Sequence, residues 1–386
     1  MGQPRYCIWG SELSPFSLKL RALCDFAELP YAWLPADGGR LQNYRVLWRI
    51  RRATRRRTAL RYPQLTDLDE YPLVPFLVED HRQVYFDSSA LARWIDAEHR
   101  ARRGPLFPEE PALAFIAQLI DEAFDEFGLY MAHHNRWVVS ATTNDAGARL
   151  AREFARVLPP GAGAGFARRF ARRQVRRLPY LFSVAPPGFA MPGLPPELKP
   201  PSRDGFPATH TLLAEAWDTY LASIETVLVR QPYLLGARFT VADASVYGQL
   251  GMNLKDPTAA EQIQTHAPTT YRWLCSIRDG QHLDGDDTLQ LTDELQPLLD
   301  VIGRTFVRLM RQNEMAYDAA RERGESVFNE RAFDQGHALY DGELLGRPFR
   351  SVAKTFQVRV WREIKDAWRA LPAAAREQVA PLLAAP

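Results

Sequence analysis

Three short clusters in this chain of 386 residues carry side chains of the type and spacing that chemistry needs. The first is Ser11-Glu12-Leu13-Ser14-Pro15-Phe16-Ser17, ahead of a stretch whose Leu20, Leu23, Cys24 and Ala27 share one helical face. A hydroxyl at a helix start can donate a hydrogen bond to an anion, and the helix N-terminus adds partial positive charge. Ser14 is the candidate for that role, with Ser11 and Ser17 as neighbours able to substitute. The second cluster is Asp87-Ser88, opening a stretch with Leu91, Trp94 and Ile95 at helical spacing. A carboxylate there can take an ammonium, while the hydroxyl and the unpaired helix N–H groups take a carboxylate. The pair therefore suits the zwitterionic head of an amino acid. The third is Val74-Pro75, a candidate cis bond, where an extended residue offers its N–H and C=O to an extended peptide. Together the clusters describe a receptor for a small peptide with an amino-acid head group.

The elements that must position these groups are short. Tyr6–Trp9 and Tyr31–Leu34 read as strands on either side of a first helix, expected from about Leu18 to Glu28 and ended by Leu29-Pro30. Leu73–Val78 and Gln83–Phe86 flank the polar residues Glu79-Asp80-His81-Arg82 as a hairpin. Pro75 cannot donate to a sheet ladder, which puts it at the start of its strand. Asp87 then opens a helix, so the order is βαβ followed by ββα.

That order, with Val74-Pro75-Phe76-Leu77, the hairpin and the Asp87-Ser88 pair, resembles the glutathione transferase superfamily. The resemblance implies an α/β plus all-α fold class: an N-terminal thioredoxin-like domain, a helical C-terminal domain and a helical extension. It implies that Val74 and Pro75 hold the cysteinyl backbone of glutathione and that Asp87 and Ser88 hold its γ-glutamyl end. Ser14 would donate to the bound thiolate, as the serine of the theta, zeta and tau classes does. Ser14-Pro15-Phe16-Ser17 occupies the slot where a glutaredoxin carries two cysteines. With serine at both positions, dithiol exchange is excluded there. A second landmark, Leu235-Gly236 followed by Thr240-Val241-Ala242-Asp243, resembles the family's Leu-Gly…Thr-x-Ala-Asp element. Physically it is a capping box, so its role is in folding.

The sequence departs from the family in two places. Between Leu34 and Val74 lie 39 residues, and Arg40–Tyr62 within them holds nine arginines and no acid. Val46, Leu47, Ile50 and Ala53 can share a face there, which predicts a basic amphipathic helix. No residue of this stretch matches the family's contact to the glycine carboxylate of glutathione. The last hundred residues have no counterpart in a typical member.

Residues 1–99 are thus expected to form the glutathione-binding domain, with the arginine-rich insert at about 40–62. Residues 100–111 read as a Pro- and Gly-bearing linker, 112–285 as a helical domain with a proline-rich insert at about 185–207, and 286–386 as the helical extension. Asp121, Glu122, Asp125 and Glu126, near His133 and His134, invite a metal reading. They lack the paired Glu-x-x-His pattern of carboxylate metal sites, so they read as a solvated acidic face and no metal is expected.

The net charge of +2 and an apolar content of 46% are those of a globular protein. No apolar run approaches the ~18 residues of a membrane span. Cys7, Cys24 and Cys275 are too scattered for a disulfide framework, which makes the cytoplasm the expectation. The arginine runs read as structural or solvated, with at most weak contact to anionic membranes. No aromatic-interleaved module for specific nucleic-acid binding is present. The function expected is a glutathione S-transferase-like homodimer that uses glutathione as co-substrate against a small hydrophobic electrophile. The alternative is a non-catalytic glutathione- or protein-binding member of the same fold, because fold alone does not guarantee chemistry.

Overall fold

The computed structural model describes residues 4–56, 68, 74–80, 83–99, 104–282 and 288–383. Residues 57–62 of the arginine-rich insert, Leu73, the hairpin residues 81 and 82, the linker residues 100–103 and residues 283–285 lie outside that set.

β1 (Tyr6–Trp9), α1 (Pro15–Phe26) and β2 (Tyr31–Leu34) open the chain, followed by α2 (Arg40–Arg55), β3 (Phe76–Glu79), β4 (Gln83–Phe86) and α3 (Ser88–Glu98). The strands lie in the order β2-β1-β3-β4, with β1 parallel to β2, and β3 antiparallel to both β1 and β4. Alternation along the strands sorts their side chains. Tyr6, Ile8, Leu77 and Tyr85 face the core shared with α1 and α3. Cys7, Trp9, Val78, Val84 and Phe86 face the opposite side, where Val46, Ile50 and Ala53 of α2 cover them. The arrangement is the thioredoxin-like one. The first helix begins at Pro15 rather than at Leu18, since proline's fixed φ and missing N–H suit a first helical turn.

The rest is mostly helical. A continuous run holds α4 (Pro111–Ala123) and α5 (Leu129–His134), with π turns at Phe124–Gly128 and Asn135–Val139. Next come α6 (Ala146–Glu153) and α7 (Gly163–Arg176), then an irregular proline-rich stretch holding one short turn, Pro196–Leu198. α8 (His210–Leu228) and α9 (Val241–Met252) follow. The expected capping box opens α9: the Thr240 N–H donates to Asp243 Oδ2 at 2.8 Å, and Asp243 Oδ1 accepts the Leu234 N–H at 2.9 Å. A Cβ at Gly248 would stand 2.7 Å from the Pro15 carbonyl oxygen, so only glycine lets α9 lie directly against the first turn of α1.

α10 (Pro257–His266), α11 (Pro268–Arg278), α12 (Gln296–Ile302), α13 (Arg308–Glu322) and α14 (Glu330–Gln335) lead to the hairpin β5 (Leu339–Leu344) and β6 (Arg347–Val352). α15 (Thr355–Ala370) and α16 (Ala373–Val379) follow, and a short turn at Ala380–Leu383 comes last among the described residues. The last hundred residues are thus helical apart from this hairpin, whose two-residue turn, Leu345-Gly346, takes φ of 51° and 70°. One apolar core continues from Leu20 and Ile95 through Phe124, Leu221 and Phe306 to Val379, so the extension shares the core of the rest. No helix among the described residues is long and apolar enough to cross a membrane.

Candidate functional site

A cleft of about 460 Å³ opens where the N-termini of α1 and α3 meet α5, α7 and the start of α15. Ser11, Ser14, Val74, Pro75, Asp87 and Ser88 all line it, so clusters far apart in the chain reach one place. Ser14 is the N-cap of α1, and its Oγ accepts the Ser17 N–H at 3.3 Å. Accepting that bond leaves the hydroxyl proton for an acceptor in the cleft. The Ser11 Oγ likewise accepts a backbone bond, from the Leu13 N–H at 3.1 Å. Ser17 does not reach the cleft. It is fully buried and accepts the Ser11 N–H at 3.4 Å under Gly10, which removes it as a stand-in for Ser14.

The Val74–Pro75 bond is cis and heads β3, as the strand-edge argument required. Asp87 holds φ at 71° as the N-cap of α3, and its Oδ1 accepts the Ala90 N–H at 2.9 Å. Its Oδ2 faces Arg359 Nη2 of α15 at 3.7 Å, a contact across 272 residues that no local pattern encodes. Ser88 is buried beside it.

The opposite wall comes from the helices. Both π turns put residues on the cleft, Asp125 and Glu126 from the first and Arg136 and Trp137 from the second. Arg136 is fully engaged. It donates to Asp256 at 2.9 Å and to the carbonyls of Leu13 and Met252 at 2.9 Å each, which ties the loop before α1 to the helical wall. Lys354, Phe356 and Gln357 also line the cleft, so the extension packs over the site. The Lys354 ammonium donates to the Tyr130 hydroxyl and to the Tyr180 carbonyl, and lies 4.4 Å and 4.8 Å from the centroids of the same two rings. Gln357 donates to the Tyr130 hydroxyl at 2.8 Å. The Asn313 amide clamps the backbone of Lys354 from both sides, accepting its N–H at 2.8 Å and donating to its C=O at 2.9 Å. Burial, with the nearby Glu126 charge, holds the Tyr130 hydroxyl well above its ordinary pKa, so it is a neutral donor. Burial also pushes His133, which lines the cleft, down to about 4, so its ring is neutral at pH 7.

The acidic face expected to be solvated is buried instead. Asp121, Glu122, Asp125 and Glu126 are all at most 8% exposed, because α1 brings a buried lysine to them. Lys19 Nζ lies 2.6 Å from both Asp121 and Asp125 and donates to Ser89 at 3.0 Å, while the Ser245 hydroxyl donates to Asp121. Burial works against the Lys19 charge, but the Asp121 and Asp125 charges overcome it and raise its pKa. Burial lifts Asp125 to about 6 against the pull of Lys19, and its Oδ1 has no hydrogen-bond partner among the described residues. Lys19 sits one helical turn beyond Pro15, so this network fixes the helix start that carries Ser14. Its signal was a lysine at an inward-facing position of a helix in a chain with only five lysines. Among the described residues, no group of three or more His, Cys, Asp and Glu side chains could hold a metal ion.

Residues 13–98 match the family described as glutathione S-transferase, N-terminal domain. Among solved structures, a glutathione transferase from Phanerochaete chrysosporium is 14% identical, with 73% of this chain and 99% of that one covered and a TM-score of 0.44. The β-etherase LigF from Sphingobium sp. strain SYK-6 is 15% identical, with 76% and 98% covered and a TM-score of 0.41. A glutathione S-transferase of Ceriporiopsis subvermispora, solved in complex with glutathione, is 16% identical, with 72% and 98% covered and a TM-score of 0.41. A search among curated protein sequences finds no match.

Proposed function

We propose that this chain, whose residues 13–98 match the glutathione S-transferase N-terminal domain family, binds glutathione in this cleft and activates the thiol. The single observation that carries the reading is convergence. A capped serine at one helix start, an acid-serine pair at another and a cis-proline strand edge line one cleft. The Val74 backbone would pair with the cysteinyl residue, Asp87 would take the ammonium, and Ser88 with the N–H groups of α3 would take the carboxylate. The Ser14 hydroxyl would donate to the sulfur, favouring the thiolate as a serine-type transferase does. The apolar part of the cleft, with Leu13, Phe16, Trp137 and Phe356, suits a hydrophobic electrophile. A homodimeric, cytoplasmic enzyme goes with this reading.

A second reading has one observation in its favour. Arg359 already faces Asp87 and would compete with the ammonium for it, which suits a non-catalytic member that holds glutathione loosely or binds another protein. Calorimetry with glutathione, followed by the ultraviolet thiolate absorbance of the bound thiol across pH, separates the two. The proposal expects binding and a thiol pKa well below the ordinary ~8.5. Binding with an unshifted thiol moves the conclusion to the second reading, and no binding removes glutathione from both.

A further inference from the structure

The two faces of α2 meet different surroundings. Val46, Ile50 and Ala53 are buried on the sheet, whereas Leu41, Tyr44 and Trp48 stand on the outer face, 63%, 47% and 58% exposed. These are three of the six exposed large apolar residues among the described residues, and they follow one another at helical spacing. The same helix carries Arg40, Arg45, Arg49, Arg51, Arg52 and Arg55 and no acid. Among the described residues, no carboxylate pairs with any of the six. The stripe is also held in place: the Tyr44 hydroxyl donates to the Val157 carbonyl at 3.1 Å, and the Arg52 guanidinium lies 5.3 Å from the Trp48 ring centroid.

We propose that the outer face of α2 docks the protein on an anionic lipid bilayer. Leu41, Tyr44 and Trp48 would sit at the boundary between headgroups and acyl chains, with the arginines among the headgroup anions. Charge complementarity selects this occupant. A second copy of the chain meeting the face about a two-fold axis would set arginine against arginine. Nucleic acid would satisfy the arginines but has no use for Leu41, whereas Trp and Tyr favour the bilayer interface beside an aliphatic residue. The inference is independent of glutathione, because α2 covers the side of the sheet opposite α1 and α3.

The experiment is co-sedimentation of the full chain with phosphatidylcholine vesicles, with and without phosphatidylserine, at low and at physiological ionic strength. Binding is expected only with phosphatidylserine and is expected to weaken as salt rises. Arg45→Ser/Arg52→Ser/Arg55→Ser should weaken it about fivefold per arginine. Leu41→Ser/Trp48→Ser, which leaves the charge untouched, should weaken it at least about tenfold through the apolar area kept from the lipid. All five side chains are exposed, so the variants should unfold at the wild-type temperature. Any of four results would overturn the proposal. They are no sedimentation with phosphatidylserine vesicles, sedimentation indifferent to Leu41→Ser/Trp48→Ser, tighter binding to duplex DNA than to the vesicles, or a solution dimer that the same double variant dissolves.

Discussion

The two walls of the cleft are built on different principles. The wall from the N-terminal domain uses helix N-termini, a cis peptide bond and short polar side chains, so each piece is made within a few residues of sequence. The helical wall uses contacts that span the fold: Asp121 and Asp125 with Lys19 of α1, Arg136 with Asp256 and the Leu13 carbonyl, and Lys354 with Tyr130. The first wall presents groups to the cleft; the second braces it through Asp121 and Asp125 on Lys19 and through Arg136 on the Leu13 carbonyl. A ligand should therefore be read by the N-terminal wall, while stability should depend on the helical one.

Substitutions can break that contrast. The largest effect is expected from Lys19→Met, which leaves Asp121 and Asp125 buried without their cation and should cost roughly 3–5 kcal/mol of stability. Urea unfolding measures it, and a loss below about 1 kcal/mol would mean that the network relaxes through water and does not brace α1. On the other wall, Asp87→Ala should leave stability within the loss of one helix cap, ~1 kcal/mol. It should weaken glutathione by about ten- to a hundredfold, the ~1.5–3 kcal/mol of a charge-assisted bond. Unchanged affinity in calorimetry would take the head group away from this residue. Ser14→Ala should keep most of the affinity and lower thiolate formation and turnover at least tenfold, about 1.4 kcal/mol. A lowered thiol pKa that survives the substitution would move the role to Ser11. The smallest change is expected from Arg359→Met. At 3.7 Å and partly exposed, its pair with Asp87 should shift glutathione affinity by no more than ~1 kcal/mol, about fivefold. A larger loss would place the extension in the head-group receptor and dissolve the contrast between the walls.

The contrast also marks what was legible in the sequence. Ser14, Val74-Pro75 and Asp87-Ser88 announce themselves because capping and strand-edge rules act over three or four residues, and the Thr240/Asp243 box did so for the same reason. The strand Tyr31–Leu34 was readable to the residue, and the amphipathic α2 was readable from the spacing of Val46, Ile50 and Ala53. Asp121–Glu126 misled, because an acidic run has the same local pattern whether water or Lys19 answers it; only the packing of α1 against α4 and α9 decides between them. Lys354, Gln357 and Arg359 were silent for a related reason. Their partners, Tyr130 and Asp87, lie more than two hundred residues away, and no periodicity encodes a contact of that span. The β5–β6 hairpin carried a signal in Leu345-Gly346, but glycine there follows a leucine at positive φ, a position more often given to asparagine or aspartate.

Gly248 gives the site a remote dependence. Because α9 touches the first turn of α1 through a hydrogen atom where any other residue would put a methyl, the position of Ser14 is set from behind, by a helix that contributes no group to the cleft. Mutational drift along that helix would be felt as displacement of the serine and not as loss of a contact. Two descendants of this protein could then keep every cleft residue and still differ in how hard they press a bound thiol toward its anion.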